Sequence, residues 1–311
     1  MKTLSYQDAK MLKFWDGIEC GTVVHGYRLE EFGERINTIL PDLISSGLLK
    51  VTTGYDNVPN YQVPDLKLAL RNHGLSVTGK KADLVDRIRN NFDDNELDRI
   101  FSRSCYMLTD EGKRAIDFFE IFFLNEKYSC DFMSEELAQA KKLYPNDIPL
   151  EQLRRHLLQR YSKEYASGSP NIFSTCNSMV NILKKKNDYQ NMLLFMWTLT
   201  YYEMCGCSRY STGEFYVYSV RFPLNPPRFL KDFDLCKSAL GWSIDEFCNF
   251  IRNRAFSRAI AMPFSFFTND ELLRIVCDNL TGNAKPITPQ FYQISMPQAN
   301  NPYYTYYDFS D

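Results

Sequence analysis

Between Val63 and Phe92 the apolar residues fall into two short sets at helical spacing, with a glycine between them. Val63, Leu66 and Leu70 repeat every three to four residues, and Gly74 ends that stripe. Leu75 and Val77 then alternate as extended chain does, and Leu84, Val85 and Ile88 form a second stripe. Only a period near 3.6 residues puts each set on one face, so this stretch folds as two small amphipathic helices joined by an extended loop.

The chain has 311 residues, 44% hydrophobic and 24% charged, enough to bury a sizeable core in two or three domains. Its 36 basic residues stand against 38 acidic ones, a formal net charge of -2. No global field therefore draws it to nucleic acid or anionic lipid, and any such binding has to come from a local patch. The start, MKTLSYQDAKMLKFWDG, lacks the apolar run of a signal peptide, and no window approaches the roughly eighteen apolar residues of a membrane span. The expected location is cytoplasmic, in a bacterium or in the host cell if a phage encodes the chain, and nuclear in a eukaryote. No membrane contact is expected.

The nine cysteines are scattered singly apart from Cys205 and Cys207, no CxxC occurs, and His25, His73 and His156 lie far apart. That spacing offers no zinc site and reads as buried or half-buried thiols in a reducing compartment, with no metal or cofactor expected.

The stretch from Val63 to Phe92 resembles the SAP domain, a small helix–loop–helix DNA-binding module. The family pattern is an apolar helix, a glycine followed by a leucine, then a small residue, a glycine and a lysine opening the second helix. Gly74, Leu75, Thr78, Gly79, Lys80, Leu84 and Arg87 fall where that pattern wants them without a gap, over about a tenth of the chain. The resemblance implies binding to the backbone of double-stranded DNA, with a preference for AT-rich sequence set by groove shape and not by a base code.

Elementary chemistry leads the same way. Thr78 can cap the second helix, and Gly79 lets the backbone come close to a bound group. Lys80 and Lys81 put two cations at a helix start, where the dipole disfavours them unless an anion visits. Between Val63 and Phe92 six basic residues (Lys67, Arg71, Lys80, Lys81, Arg87, Arg89) face three acidic ones (Asp65, Asp83, Asp86), a local charge of +3. Thr78, Gly79, Lys80 and Lys81 are therefore the candidate phosphate contacts, flanked by Lys67, Arg71 and Arg87. The competing structural account is a helical hairpin whose charges are merely solvated.

Around this module stand LISSGLLKV and, after the acidic linker DDNELD, CYMLTDEGKRAIDFFEIFF. Leu29, Phe32, Ile36, Ile39 and Leu40 keep helical spacing, Pro41 begins a short turn ending at Gly47, and residues 48–53 read as a strand followed by a loop. A short helix ending in glycine, a strand, and then Tyr106, Leu108, Thr109, Gly112 and Ile116 resemble the wing of winged-helix proteins, with Thr109 starting the last helix. The SAP-like module is then an insertion at the wing, with strand 48–53 antiparallel to strand 104–108. From Arg28 to Lys50 three basic residues face four acidic ones, so this part reads as a structural platform and not as a phosphate-tracking surface.

From Phe118 to about Gly282 the pattern is nearly all helical. Ser134 precedes EELAQAKKLY, Pro149 precedes LEQLRRHLLQRYSKEY, and Asn187-Asp188 divides a long apolar stretch into two helices of a hairpin. Ser243 with Glu246 and Thr268 with Glu271 are capping boxes, and Gly282 closes the last helix. A multi-helix bundle or short helical stack is expected. No fixed period establishes a repeat array. The order of parts resembles uncharacterised SAP-domain proteins of Gram-positive bacteria and their phages or mobile elements, a resemblance that implies no catalysis.

No phosphate-binding glycine loop, GxSxG elbow or HExxH occurs. Pro64-Asp65-Leu66-Lys67 has a nuclease-like look, but no second carboxylate accompanies it, and Glu120, Glu126, Glu135 and Glu136 sit at intervals that solvated helix faces use. Lys184-Lys185-Lys186 complements a helix C-terminus, with a basic patch as second choice, and Arg254 and Arg258 read as a solvated face, with an extension of a DNA track as second choice. The run Phe118, Phe119, Phe122, Phe123 lacks interleaved cations and reads as core, whereas the tail QANNPYYTYYDFSD is polar, aromatic and acidic without a period.

The sequence therefore implies a mainly α protein. Residues 1–60 and 100–125 form a winged-helix-like platform, 61–95 a SAP-like module, 126–285 a helical domain and 286–311 an extended tail. The expected function is non-enzymatic binding of double-stranded DNA, with the helical half meeting a protein partner or a second copy. Two rivals stand beside it: a phage or mobile-element defence or counter-defence protein whose hairpin meets protein, and a DNA-processing enzyme with an unrecognised site.

Overall fold

Helix α1 (Tyr6–Trp15) opens at Ser5, whose hydroxyl accepts the Asp8 N–H at 3.1 Å while the Asp8 carboxylate accepts the Ser5 N–H in return. Its inner face carries Ala9, Met11, Leu12 and Trp15, all fully buried, and the Trp15 indole N–H donates to the Ile36 carbonyl at 3.1 Å. The computed structural model describes residues 4–167, 169, 171–204, 229–258, 264–265, 267–284 and 292–293. Within these the protein is mainly helical and divides into two compact units, Met1–Phe122 and Phe123–Asp311.

In the first unit the apolar series from Leu29 to Leu40 is three short helices: α2 (Tyr27–Phe32), α3 (Arg35–Thr38) and α4 (Leu40–Ser45). Gly33, at φ +69°, breaks what the spacing alone would allow as one helix. Phe32, Ile36, Ile39 and Leu43 still reach one core with Met11, Leu12, Trp15, Leu48, Leu49 and Tyr106. Strand β1 (Leu49–Thr52) pairs antiparallel with β2 (Cys105–Leu108), the pairing the sequence predicts, in the register Leu49 to Leu108 and Thr52 to Cys105. Residues 17–20, which the sequence does not flag, run along the other edge of β2. Gly17 N–H donates to Tyr106 O at 2.8 Å, Tyr106 N–H to Ile18 O at 2.9 Å, and Cys20 N–H to Ser104 O at 2.8 Å. Thr109 caps α9 (Asp110–Phe118) by accepting the Gly112 N–H at 3.0 Å.

Everything between the two strands is one helical insertion. The expected loop after β1 is helix α5 (Gly54–Asn57) and a 3-10 turn (Val58–Asn60), followed by α6 (Val63–Asn72) and α7 (Lys81–Asn91). The acidic run expected as a linker is helix α8 (Asp94–Ile100): Asp93 accepts the Glu96 N–H at 2.8 Å and the Glu96 carboxylate accepts the Asp93 N–H. The insertion has its own core of Val58, Tyr61, Leu66, Ala69, Leu70, Leu84, Val85, Ile88, Phe92, Leu97 and Phe101, with Val63, Leu75, Val77 and Ile100 packed on it. Each fully buried Leu, Ile or Phe there contributes about 1.5–3 kcal/mol of transfer free energy.

Helix α10 (Glu120–Lys127) carries the chain between the units. Phe119 and Phe122 are buried, but Phe118 is 60% exposed and does not join the core expected for that aromatic run.

The second unit contains α11 (Ser134–Leu143), α12 (Pro149–Ser167), α13 (Ile172–Lys185), α14 (Tyr189–Met204), α15 (Leu230–Ala239), α16 (Ile244–Phe250) and α17 (Asn269–Leu280). Strands β3 (Phe264–Ser265) and β4 (Tyr292–Gln293) pair antiparallel, a small ribbon the helical pattern does not announce. Ser134 is the first residue of α11 and not its cap; Met133 precedes it, and its N–H donates to Glu136 at 2.8 Å. Asn187, at φ +55°, turns α13 into α14. Cys176, Met179, Ile182 and Leu183 on α13 and Met192, Leu193, Met196 and Trp197 on α14 supply fully buried side chains. Both expected capping boxes form, at Ser243 with Glu246 and at Thr268 with Glu271. Cys205, Cys207, the Arg258 side chain and residues 294–311 lie outside the described residues.

Glu151 gives this unit a testable acid sensitivity. Arg154 Nε donates to it at 2.9 Å and Lys186 pairs with it, and together they pull its carboxyl down to about 2. An unfolded-chain carboxyl titrates near pH ~4.3. The folded value lies below it, so the stabilisation is present above that pH and is lost as pH falls toward the folded value. Glu151→Gln is expected to flatten the dependence of the thermal midpoint on pH between about 5 and about 2. An unchanged slope would remove that role.

Candidate nucleic-acid interface

The loop between α6 and α7 is held from within. Gly74, at φ +66°, ends α6 in a left-handed turn, and Leu75 N–H donates back to Leu70 O at 2.9 Å. Leu75 and Val77 point their side chains into the insertion core, leaving Ser76, Thr78, Gly79, Lys80 and Lys81 exposed.

The start of α7 differs from the sequence expectation. Thr78 does not cap it: its hydroxyl meets the Ser76 hydroxyl at 2.9 Å, and the helix begins three residues later at Lys81. A lysine side chain has no acceptor to offer, so Asp83 reaches back and accepts the Lys80 N–H at 2.7 Å. Gly79 is required for this turn. Its φ is +121°, and a Cβ there would lie 2.8 Å from the Asp83 carboxylate. The group that Gly79 admits is thus Asp83, which sequence reasoning counted only as a negative charge. The spacing Lys80-x-x-Asp83 carried that signal.

Lys80 and Lys81 are exposed and form no ion pair among the described residues. The N–H groups of Lys81 and Ala82 open the helix beneath them, and the amino-terminal dipole of α7 adds positive potential. The arrangement can receive an anion through two mobile ammonium groups and helix-start N–H donors.

Arg87 stands elsewhere in the scheme. Its Nη1 donates to Ser76 O at 2.7 Å and to Thr78 O at 3.0 Å, clamping the loop onto α7 from nearly two turns inside the helix. Its main work is positioning, and the phosphate contact expected of it falls to whatever donors remain. Arg87→Ala is expected to lower stability by about 1.5–3 kcal/mol, the range for hydrogen bonds from a charged donor. Thermal unfolding measures it, and a midpoint unchanged from wild type would contradict the clamp.

Lys67 and Arg71 sit one turn apart on α6, and neither is joined to the loop or to an acid among the described residues. The structure therefore brings Thr78, Gly79, Lys80, Lys81 and Arg87 together and leaves Lys67 and Arg71 on the neighbouring helix. Arg89 is tied into the fold: its guanidinium lies over the Tyr55 ring at 4.5 Å and donates to Tyr55 O at 3.1 Å, joining α7 to α5. Of the basic residues farther along the chain, Lys184 pairs with Asp232 at 2.7 Å and Lys186 with Glu151, so two of the three consecutive lysines are occupied.

The insertion is anchored at its base. The Asn57 side chain, fully buried, donates to the Arg103 carbonyl, Arg103 N–H donates to the Tyr61 hydroxyl at 3.0 Å, and the Arg103 guanidinium lies 4.0 Å from the Tyr61 ring centre. His73 bridges α6 to Glu96 on α8 at 3.2 Å. None of these polar contacts was legible from periodicity.

Among the described residues no group of three or more His, Cys, Asp or Glu could hold a metal ion, and no helix is long and apolar enough to cross a membrane. No curated protein and no solved structure matches the chain. Residues 60–93 do match the family model for the SAP domain, over the two helices and the loop just described. The loop and helix start at Thr78–Lys81 thus belong to a SAP domain, a DNA-binding module carried on a mainly helical chain.

Proposed function

We propose that this chain is a non-enzymatic protein that binds duplex DNA through its SAP domain, with the phosphate backbone seated on Lys80, Lys81 and the start of α7. The observation that carries this reading is the pair of exposed, unpaired lysines at a helix start held by its own loop. Such a pair is slightly unfavourable for the isolated helix and becomes favourable once an anion arrives. Lys67 and Arg71 extend the positive surface along α6.

The platform supports a winged-helix reading. Helix α1, the edge segment 17–20, helices α2 to α4 and the ribbon β1–β2 follow one another as that fold requires, with the SAP domain inserted at the ribbon. Its basic residues are drawn into pairs: Arg35 with Asp8 at 2.6 Å, Lys50 with Asp56 at 2.7 Å, Arg28 with Glu31 at 2.7 Å. That supports a platform role and not a second DNA surface. About four phosphate contacts give weak, salt-sensitive affinity, so a second copy or a partner bound through the helical unit would raise it by avidity.

The likeness to SAP domains implies an AT preference, read through groove shape and not through a base code. In competition for a labelled probe, an unlabelled AT-rich duplex is expected to displace it at lower concentration than a GC-rich duplex of equal length. Equal displacement would remove the AT preference, and cleavage of either duplex in the presence of a divalent cation would overturn the non-enzymatic assignment.

A further inference from the structure

A cavity of about 680 Å³ opens on the platform between the start of α1, helices α3 and α4, and the first half of α9. Leu4, Ile39, Leu43, Leu48 and Ala115 supply its apolar lining. Its volume lies within the roughly 300–1,000 Å³ of ligand pockets. The apolar surface continues past the cavity. Glu111, Ala115 and Phe118 stand four and three residues apart on α9 and so share one face, and Phe118 is 60% exposed. An exposed phenylalanine adjoining an apolar hollow marks a protein contact, because a solute small enough to fit the hollow would leave the ring in water.

The charge around this surface is mostly negative. Three of the charged residues lining the cavity are acids, Asp8, Asp42 and Glu111, and the fourth, Arg35, is already held by Asp8 at 2.6 Å. Glu111 pairs with Arg114 on the solvent side. Asp42 is exposed and forms no ion pair among the described residues, and the same holds for Asp117 and Glu120, which flank Phe118 and Phe119 in the chain. Such a border repels phosphate and offers unused carboxylates to a lysine or arginine.

We infer that this face of the platform docks a protein segment that presents an apolar side chain with a lysine or arginine one turn away. The apolar side chain enters the cavity against Ile39, Leu43 and Leu48, a neighbouring one covers Phe118, and the cations meet Asp42, Asp117 and Glu120. Burial supplies the affinity, and the carboxylates select the partner, since charges at the rim of an interface act on encounter and choice more than on strength. The surface uses none of the residues of the SAP domain and stands whether or not that domain holds DNA.

The test selects random dodecapeptides displayed on phage against the immobilised full chain and measures the enriched sequences as fluorescein-labelled peptides by anisotropy. Enriched peptides are expected to carry Lys or Arg one turn from Leu, Ile, Met or Phe. Asp42→Lys/Asp117→Lys should weaken their binding roughly tenfold or more, because like charges then face each other. Phe118→Ala should weaken it independently, and both variants should keep the wild-type melting curve, since all three side chains are exposed. Sedimentation without peptide should give the wild type and the charge-reversed variant the same mass. Failure of any sequence to enrich, enrichment of peptides without basic residues, or equal binding to wild type and variants would overturn the assignment. A wild-type dimer that the charge reversal splits would also overturn it, by giving the surface to a second copy.

Discussion

Lys80→Ala/Lys81→Ala lowers affinity for an AT-rich duplex roughly tenfold to a hundredfold near 0.1 M salt, because each lost phosphate contact removes about 0.9 from the slope of log affinity against log salt. The same double variant keeps its thermal midpoint, since both side chains are exposed and unpaired and surface changes of this kind fall within about 0.5 kcal/mol. Fluorescence anisotropy against the wild type, with a melting curve for each protein, separates the two effects. The salt slope itself should fall by about 2 in the double variant. Unchanged affinity would move the DNA contact away from the start of α7.

Gly112→Ala is the substitution with the largest expected cost to folding. Gly112 lies in the first turn of α9, where an added Cβ would sit 2.2 Å from the Leu48 carbonyl oxygen and 3.1 Å from its carbon. Both atoms are backbone at the entry to β1, and neither can rotate aside. Relief requires α9 to move off the strand, breaking the Thr109 N–H to Leu48 O bond of 3.1 Å. A loss of about 3 kcal/mol is expected, the upper end for forced overpacking. Gly54→Ala provides the contrast: its Cβ would meet the exposed Asp98 carboxylate, which can swing away, leaving mainly the strain of φ +54°. Thermal melts of the two variants should rank Gly112→Ala well below Gly54→Ala, and the reverse order would contradict the close approach of α9 to β1.

Where one local rule decided the structure, the sequence was legible. The stripes Val63–Leu66–Leu70 and Leu84–Val85–Ile88 became α6 and α7, and Leu66, Leu70, Leu84 and Ile88 are fully buried. Thr109, Ser243 and Thr268 cap helices as their spacing to the next acceptor or donor predicts. The pairing of β1 with β2 across some fifty residues was readable because a strand, a helix start and a glycine recur in fixed order on either side of the insertion.

What failed had a physical cause in each case. A run of acids was read by its charge, although Asp93 and Glu96 carry the reciprocal capping pattern that makes α8. Thr78 was given the cap on residue type, but the helix starts later and a carboxylate from inside it does the work. The role of Arg87 in holding the loop was not read, because its acceptors there, the carbonyls of Ser76 and Thr78, are backbone atoms with no trace in side-chain identity. The base of the insertion, built from Asn57, Tyr61 and Arg103, joins residues more than forty positions apart, beyond what periodicity reaches.

The salt dependence of duplex binding by the intact wild-type protein tests the central claim most directly. With Lys67, Arg71, Lys80 and Lys81 all engaging phosphate, log affinity is expected to fall against log salt with a slope of about -3 to -4. A flat dependence, or no binding to duplex at low salt, would contradict a DNA backbone seated at the start of α7.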